Sequence, residues 1–213
     1  MRITILDLGI NNISSVKLGF SRNLQSSDEI NAIQNGAELA GHVSDLLILP
    51  GLGNFSAGMR ALNDRQFHPL IQEHLANDKK LVGICLGMQL LGSMSEEAPG
   101  VQGLDLILGS IKKLPTEPRE KIPHVSWASL KNVDNQITPE FNDLDGDFYF
   151  VHSYYFSPEN LTEIITNTEF GSSHFPSIVG NKNVLGIQFH PEKSGIRGRR
   201  FIDRIINWGR NED

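Results

Sequence analysis

The stretch Leu81-Val82-Gly83-Ile84-Cys85-Leu86-Gly87 joins a short apolar run to a segment with helical character. An apolar run of this length is typical of a buried strand, so we predict a strand over Leu81–Ile84 and a helix over Leu86–Ser93. The spacing G-x-C-x-G around Cys85 is the cysteine form of a nucleophile elbow, a sharp turn between a strand and a helix. The alternative is a cysteine that only fills the core.

Glycines on both sides of Cys85 suit such a turn, because larger side chains there would collide with the neighbouring backbone. The free N–H groups at the start of the following helix would face the thiol and favour its thiolate. The N–H of Leu86 could also meet an oxyanion as it develops. The stretch therefore predicts Cys85 as a nucleophile.

Apolar runs and helical patterns alternate along the chain on either side of this stretch. Further strands are predicted at Ile3–Leu6, Asp45–Leu49, Phe148–Val151, Ile164–Ile165 and Val184–Phe189. Further helices are predicted at Ile13–Leu24, at 54–76 with a break near 67–69, and at Phe201–Trp208.

Alternating strands and helices favour a parallel sheet that is covered by helices and carries its reactive groups at the carboxyl ends of the strands. We therefore predict one α/β domain over residues 1–213. Its central sheet is expected to be mostly parallel and flanked by helices, with an antiparallel extension in the second half.

Composition excludes several classes of protein. The chain has 213 residues, of which 39% are hydrophobic and 21% charged, as expected for a folded chain. A net charge of −6 argues against binding to duplex nucleic acid through phosphate neutralisation. No apolar run approaches the roughly 20 residues that span a bilayer. The single cysteine excludes an internal disulfide framework and fits a reducing compartment, so we expect a cytoplasmic protein.

A candidate base follows the last predicted strand, in Gln188-Phe189-His190-Pro191-Glu192. Proline forces the residue before it into an extended conformation, and side chains two apart in an extended segment share a face. Glu192 can then hold one imidazole nitrogen of His190 while the other nitrogen faces a thiol. The alternative is a solvated histidine beside a surface glutamate.

A glycine-containing loop, Pro50-Gly51-Leu52-Gly53-Asn54-Phe55, follows another predicted strand. Such a loop lets backbone N–H groups approach a phosphate or an oxyanion closely. It is not a phosphate-binding P-loop, because no Gly-Lys-Ser/Thr follows it. His152, in an aromatic strand, is interpreted as a hydrogen-bonded structural residue rather than a catalyst.

Three segments together resemble the signatures of the class I, triad-type glutamine amidotransferases: Leu49–Phe55, Gly83–Gln89 and Gln188–Ser194. Two others, Phe148–Tyr155 and Lys121–His124, are similar to glutaminase subunits that serve a (β/α)8-barrel synthase. This resemblance implies that the chain hydrolyses L-glutamine to L-glutamate and ammonia without a cofactor or a metal. The ammonia would pass to a barrel subunit that makes imidazole glycerol phosphate and aminoimidazole carboxamide ribotide in histidine biosynthesis.

The resemblance also implies roles for individual residues. Cys85 would attack the amide, His190 would transfer protons, and Glu192 would orient His190. The implied oxyanion hole consists of Leu52, Gly53 and Leu86. The implied glutamine-binding residues are Gly51, Gln89, Ser153 and Tyr154. The implied partner interface of the heterodimer consists of Asn12, Trp127, Tyr149 and Lys193.

One segment departs from the family pattern. After His124 the family typically continues Met-Gly-Trp-Asn, whereas this chain has Val125-Ser126-Trp127-Ala128 at the implied partner face. A paralogous glutaminase subunit, supplying ammonia for amidination of a bacterial surface-polysaccharide sugar, is therefore an alternative. A cysteine hydrolase of the same fold and a non-catalytic binding subunit are two further alternatives.

Overall fold

A computed structural model of the chain describes residues 1–10, 12–39, 44–115, 122–133, 138–141 and 144–210. Lys121, which begins one of the segments quoted above, lies outside these residues. No helix in the described ranges is both long and apolar enough to cross a membrane.

The helices are α1 (Ile13–Ser21), α2 (Phe55–Asp64), α3 (Phe67–Ala76), α4 (Leu86–Leu90) and α5 (Gly195–Arg210). The first seven strands are β1 (Arg2–Leu6), β2 (Glu29–Ile33), β3 (Leu46–Gly51), β4 (Lys80–Cys85), β5 (Met94–Ser95), β6 (Gly109–Lys113) and β7 (His124–Ser129). The others are β8 (Lys131–Asn132), β9 (Asp147–His152), β10 (Tyr154–Pro158), β11 (Ile164–Phe170), β12 (Ser173–Gly180) and β13 (Val184–Ile187).

The central sheet has eight strands within the described residues, in the order β2-β1-β3-β4-β13-β12-β11-β8. Its first five strands are parallel to one another. Strands β12, β11 and β8 then continue the sheet in antiparallel fashion. The predicted α/β class, with a mostly parallel sheet and an antiparallel extension, is confirmed.

Successive residues of the parallel strands face opposite sides of the sheet, and both sides are covered. In β3, Leu46 and Ile48 pack with the buried residues of α1 and α5, whereas Leu47 and Leu49 pack with those of α2, α3 and α4. Because both faces of β3 are buried, a ligand can reach this strand only at its ends.

Two smaller sheets lie beside the central one. Strands β10, β6 and β5 form one of them, and β7 and β9 form an antiparallel pair that we call the ribbon. In the ribbon, Trp127 lies opposite Tyr149 and His124 lies opposite His152. The ribbon therefore pairs residues that are 18 to 28 positions apart in sequence.

Several elements differ from their predicted bounds. The helix predicted to reach Ser93 ends at Leu90, because the N–H groups of Leu91 and Gly92 bond three residues back, to the carbonyls of Met88 and Gln89. This tightened turn leads directly into β5. Helix α1 ends at Ser21 rather than Leu24.

The break predicted near residues 67–69 lies slightly earlier, at Arg65 and Gln66, where Gln66 has a φ of 56°. Pro69 falls in the first turn of α3, where a proline is tolerated because no intrahelical N–H bond is lost. Strand β2 was not predicted: it is a largely exposed edge strand with the polar residues Glu29 and Asn31, and so shows no apolar run.

Candidate active site

Cys85 lies at the junction of β4 and α4 in a strained conformation, with φ 56° and ψ −110°. The two glycines of this elbow are required by close packing. A Cβ on Gly83 would lie 2.6 Å from the carbonyl oxygen of Gly87, and a Cβ on Gly87 would lie 1.7 Å from that of Leu49. Both contacts are shorter than real Cβ atoms make. Backbone packing thus holds the thiol above the end of the sheet.

His190 follows β13, which is the parallel neighbour of β4, so it and Cys85 lie at the same edge of the sheet. The Nδ1 atom of His190 lies 2.8 Å from the Oε1 atom of Glu192, and both side chains are almost fully buried. A short 3₁₀ turn at Pro191–Lys193 brings the carboxylate back beneath the ring. Nδ1 is therefore engaged and the other nitrogen is left for the thiol.

That other nitrogen, Nε2 of His190, is buried and makes no hydrogen bond of standard geometry among the described residues. Burial lowers the pKa of His190, but interaction with the side chains of Cys85 and Glu192 outweighs burial and raises the pKa to about 10. The imidazole is accordingly protonated at neutral pH. This is the state that stabilises a neighbouring thiolate.

Two further contacts surround the Cys85 sulfur. The carbonyl oxygen of Val151 lies 3.9 Å from Sγ, and the Nε2 atom of Gln188 lies 4.0 Å from it. Gln188 is fully buried, so its amide donates to the sulfur without competition from solvent.

A cavity of about 240 Å³ opens beside the thiol. Seven of the residues implied by sequence line it, namely Cys85, Leu52, Gly53, Leu86, Gln89, Ser153 and Tyr154. Gly51 is not among its lining residues: it pairs with Cys85 in the sheet and lines a smaller cavity of about 10 Å³, which shares Leu52 with the larger one. Gly51 is thus the one implied glutamine-binding residue that does not line the larger cavity.

The loop after β3 lines the cavity with a backbone conformation that requires glycine. Gly53 has a φ of 107°, in the left-handed region, and no atom lies within 4 Å of a Cβ built on it. Asn54 then caps α2 by accepting a hydrogen bond from the N–H of Ala57 at 2.8 Å. Leu86, the first residue of α4, also lines the cavity, and its N–H belongs to the first turn of a helix, where N–H groups lack intrahelical partners.

Sequence reasoning missed Glu97, the single acidic side chain among the described residues that line the larger cavity. Its Oε2 atom accepts a hydrogen bond from the N–H of Phe55 at 2.8 Å. Glu97 follows the exposed Glu96 in the same loop, and nothing in the sequence distinguishes one of these two acidic residues from the other. Only the contact with the start of α2 directs it inward.

His152 also lines this cavity and is hydrogen-bonded through both ring nitrogens, as interpreted from sequence. Burial lowers its pKa to about 3. It is therefore neutral at neutral pH, in contrast to His190.

The four residues implied at a partner interface lie on one side of the molecule. Trp127 is 53% exposed and its ring centroid lies 6.0 Å from that of Tyr149. The Nζ atom of Lys193 lies 5.9 Å from the Tyr149 ring. Asn12 caps α1 and lines the smaller cavity together with Lys193 and His190. We call these four residues the patch. Through the smaller cavity, the patch adjoins the imidazole of His190.

Comparison with known proteins identifies the class that this fold and site define. The model of the family described as glutamine amidotransferase class-I matches residues 9–205. The chain belongs to this family.

The similarity extends to particular members. The chain is 36% identical over 206 residues to "Imidazole glycerol phosphate synthase subunit HisH" of Thermotoga maritima, covering 97% of this chain and 96% of that protein. It is 38% identical over 209 residues to the protein of the same name from Lactococcus lactis subsp. lactis, covering 96% and 98%.

Solved structures agree on the fold. A crystal structure of a glutamine amidotransferase matches with a TM-score of 0.69 at 17% identity, covering 97% of this chain and 98% of that chain. The structure of PurLQS from Thermotoga maritima matches with a TM-score of 0.68, also at 17% identity and with the same coverage. At this level of identity the likeness shows the fold alone.

We expect Gly87→Ala to lower the free energy of unfolding by about 3 kcal/mol, because the new methyl group collides with the Leu49 carbonyl and the sheet must shift. Urea denaturation measures the loss. Gly195→Ala is the control: Gly195 has a φ of 60° but nothing within 4 Å, so only about 1–2 kcal/mol of backbone strain is expected. Equal losses in the two variants would contradict the packing argument.

We expect acid to destabilise the fold through His152. The folded state keeps this ring neutral down to a pKa of about 3, whereas the unfolded chain takes up a proton at about 6.5. The unfolded state therefore binds more protons between these values, and about 2 kcal/mol of stability is lost between about pH 7 and pH 5. Urea denaturation across this range should show a shallower pH dependence for His152→Asn. An unchanged slope in this variant would contradict the assignment.

Proposed function

We propose that this chain is the glutaminase subunit of an imidazole glycerol phosphate synthase. It hydrolyses L-glutamine to L-glutamate and ammonia, and supplies the ammonia to a synthase subunit. The observation that carries the proposal is the buried pair of His190 and Glu192 beside Cys85, whose thiol lies at the wall of a cavity of small-molecule size. The names of the relatives reported above support the same assignment.

In the first half of the reaction, the Cys85 thiolate attacks the carbon of the glutamine side-chain amide. The tetrahedral intermediate collapses as the His190 imidazolium gives its Nε2 proton to the leaving nitrogen, which departs as ammonia. A glutamyl thioester on Cys85 remains. The raised pKa of His190 supports this role, because it keeps a proton available at neutral pH.

In the second half, neutral His190 removes a proton from water, which attacks the thioester. The carbon–sulfur bond breaks, glutamate leaves, and the imidazolium and thiolate form again. Glu192 holds Nδ1 throughout, so that Nε2 always faces the reacting atoms.

The oxyanion that forms in both halves needs backbone donors. The N–H of Leu86 and the turn at Leu52 and Gly53 lie on the wall of the cavity and are assigned this role. One such donor is worth about 3–4 kcal/mol of transition-state stabilisation in the enzymes where it has been removed.

Glutamine also presents an α-ammonium and an α-carboxylate. We assign the ammonium to Glu97, which is the acidic side chain of the cavity, and the remaining polar contacts to Gln89, Ser153 and Tyr154. Binding of both charged ends would direct the side-chain amide toward Cys85. A peptide bond offers neither free end, which favours free glutamine over a peptide substrate.

Ammonia would pass to a (β/α)8-barrel subunit that docks on the patch formed by Asn12, Trp127, Tyr149 and Lys193. The exposed Trp127 and the cation of Lys193 beside Tyr149 are suited to anchor such a partner. The barrel would make imidazole glycerol phosphate and aminoimidazole carboxamide ribotide in histidine biosynthesis. The names of the relatives favour this assignment over the amidination of a polysaccharide sugar.

We expect Cys85→Ala to abolish glutamine-dependent synthase activity of the assembled heterodimer, by more than about a thousandfold, because no thioester can form. Activity with added ammonium salt should be unchanged, since the chemistry of the partner subunit does not use the thiol. Both activities are measured by formation of imidazole glycerol phosphate. Loss of both would argue against the division of labour proposed here.

We expect Glu97→Gln to raise the KM for glutamine by at least about tenfold, because a charge-assisted hydrogen bond to the α-ammonium is lost. The variant keeps an oxygen to accept from the Phe55 N–H, so the loop should stay in place. Steady-state release of glutamate measures the effect. Glu96→Gln, at the exposed neighbouring position, is the matched control and should leave KM unchanged. A normal KM in Glu97→Gln would refute the assignment of the ammonium.

A further inference from the structure

Two buried histidines outside the proposed triad connect the surface of the ribbon to the larger cavity. His152 Nδ1 lies 2.8 Å from the carbonyl oxygen of Tyr154, and His152 Nε2 lies 3.3 Å from His124 Nδ1. His124 Nε2 in turn lies 2.6 Å from the hydroxyl oxygen of Ser126, which is an exposed residue of β7. The three side chains form one continuous series.

The chemistry of the partners fixes the direction of each hydrogen bond. A carbonyl oxygen only accepts, so the proton of the neutral His152 ring is on Nδ1, and its Nε2 must accept from His124 Nδ1. Nε2 of the neutral His124 ring then accepts from the Ser126 hydroxyl. Both histidines are therefore held in the Nδ1–H tautomer, and Ser126 is the first donor of the series.

The series continues from Tyr154 to the thiol. The Nε2 atom of Gln89 donates to the same Tyr154 carbonyl oxygen at 3.0 Å and lies 3.3 Å from Gln188 Oε1. With its oxygen engaged by Gln89, Gln188 presents its own Nε2 to the Cys85 sulfur at 4.0 Å. The Tyr154 carbonyl is thus the point where the histidine series meets the residues that face the substrate.

Apolar rings enclose both histidines, so each ring nitrogen depends on its protein partner. The ring centroid of His124 lies 5.3 Å from that of Phe150 and 4.6 Å from that of Phe170. The ring centroid of His152 lies 4.9 Å from that of Phe175. Phenylalanine in place of either histidine would suit this packing better, because it has no polar group to bury. Hydrogen bonding is therefore what these two histidines provide that phenylalanine would not.

We propose that His124 and His152 are positioning residues for glutamine binding. They hold the Tyr154 carbonyl, and through it the amide of Gln89, in the orientation that the substrate requires, with Ser126 as the surface end of the series. This inference rests on the proposed function, because it assigns Gln89 and Tyr154 to glutamine.

The test uses the full chain assembled with its synthase subunit and measures kcat and KM for release of glutamate. His152→Phe should raise the KM for glutamine by about fivefold, the size expected for one neutral hydrogen bond, and change kcat less. His152→Asn restores a donor at the position of Nδ1 and should recover most of the KM. If His152 served packing alone, His152→Asn would raise KM more than His152→Phe, because phenylalanine fills the site better than asparagine.

A double-mutant cycle tests the series from its surface end. Ser126→Ala, at an exposed position, should raise KM about twofold in the otherwise unchanged chain and have no effect in a His124→Phe background. Ser129→Ala is the matched control, because the Ser129 hydroxyl lies on the same strand but bonds to the exposed Asp147 instead. It should leave KM unchanged in both backgrounds.

Heteronuclear NMR of histidine-labelled chain provides a readout independent of activity, and should show the Nδ1–H tautomer for both rings. An Nε2–H tautomer for His152, an unchanged KM in His152→Phe, or additive effects of Ser126→Ala and His124→Phe would each overturn the inference. Cys85→Ala separates the two proposals. Glutamine turnover that survives in this variant refutes the proposed function, whereas its loss together with a normal KM in His152→Phe refutes only the positioning role.

Discussion

The contact between the backbone of α4 and the backbone of β3 is the constraint on which the site depends. No side chain fits between Gly87 and the Leu49 carbonyl, so the helix starts directly against the strand. This contact forces Cys85 into its left-handed conformation and puts the thiol at the end of the sheet. Because Gly51 pairs with Cys85, the loop after β3 reaches the same place. Larger residues in the elbow would separate the thiol from the donors around it.

The parts of the site that follow parallel strands were predictable from sequence. Cys85 and His190 each come directly after a short apolar run, and the carboxyl ends of parallel strands meet at one edge of a sheet. The prediction required no knowledge of strand order, only that the two runs belong to one parallel sheet. The pairing of Glu192 with His190 was predicted for a local reason, an extended segment, but only His190 is extended. A 3₁₀ turn at Pro191–Lys193 brings the carboxylate to the ring instead.

The rest could not be predicted, because tertiary contacts between distant segments decide it. Glu97 enters the cavity through a bond to the start of α2, and an acid in a polar loop has no periodicity that would mark it. The bond between His124 and His152 depends on the antiparallel register of the ribbon, which neither strand specifies alone. Gly51 is held in the last pair of β3 and β4 and lines the smaller cavity, and this strand pairing is not encoded in the glycine motif.

The ribbon is not part of the central sheet, yet two hydrogen bonds fasten it to the segment that carries His190. The N–H of His190 donates to the Tyr149 carbonyl, and the N–H of Tyr149 donates to the Ser194 hydroxyl. Within the second segment, the Ser194 hydroxyl also donates to the His190 carbonyl. Local opening that separates the two segments must break both of the bonds between them. Amide protons in both segments should consequently exchange with solvent as one cooperative unit. A partner subunit that rigidifies the ribbon would therefore also slow amide exchange in the turn that follows His190.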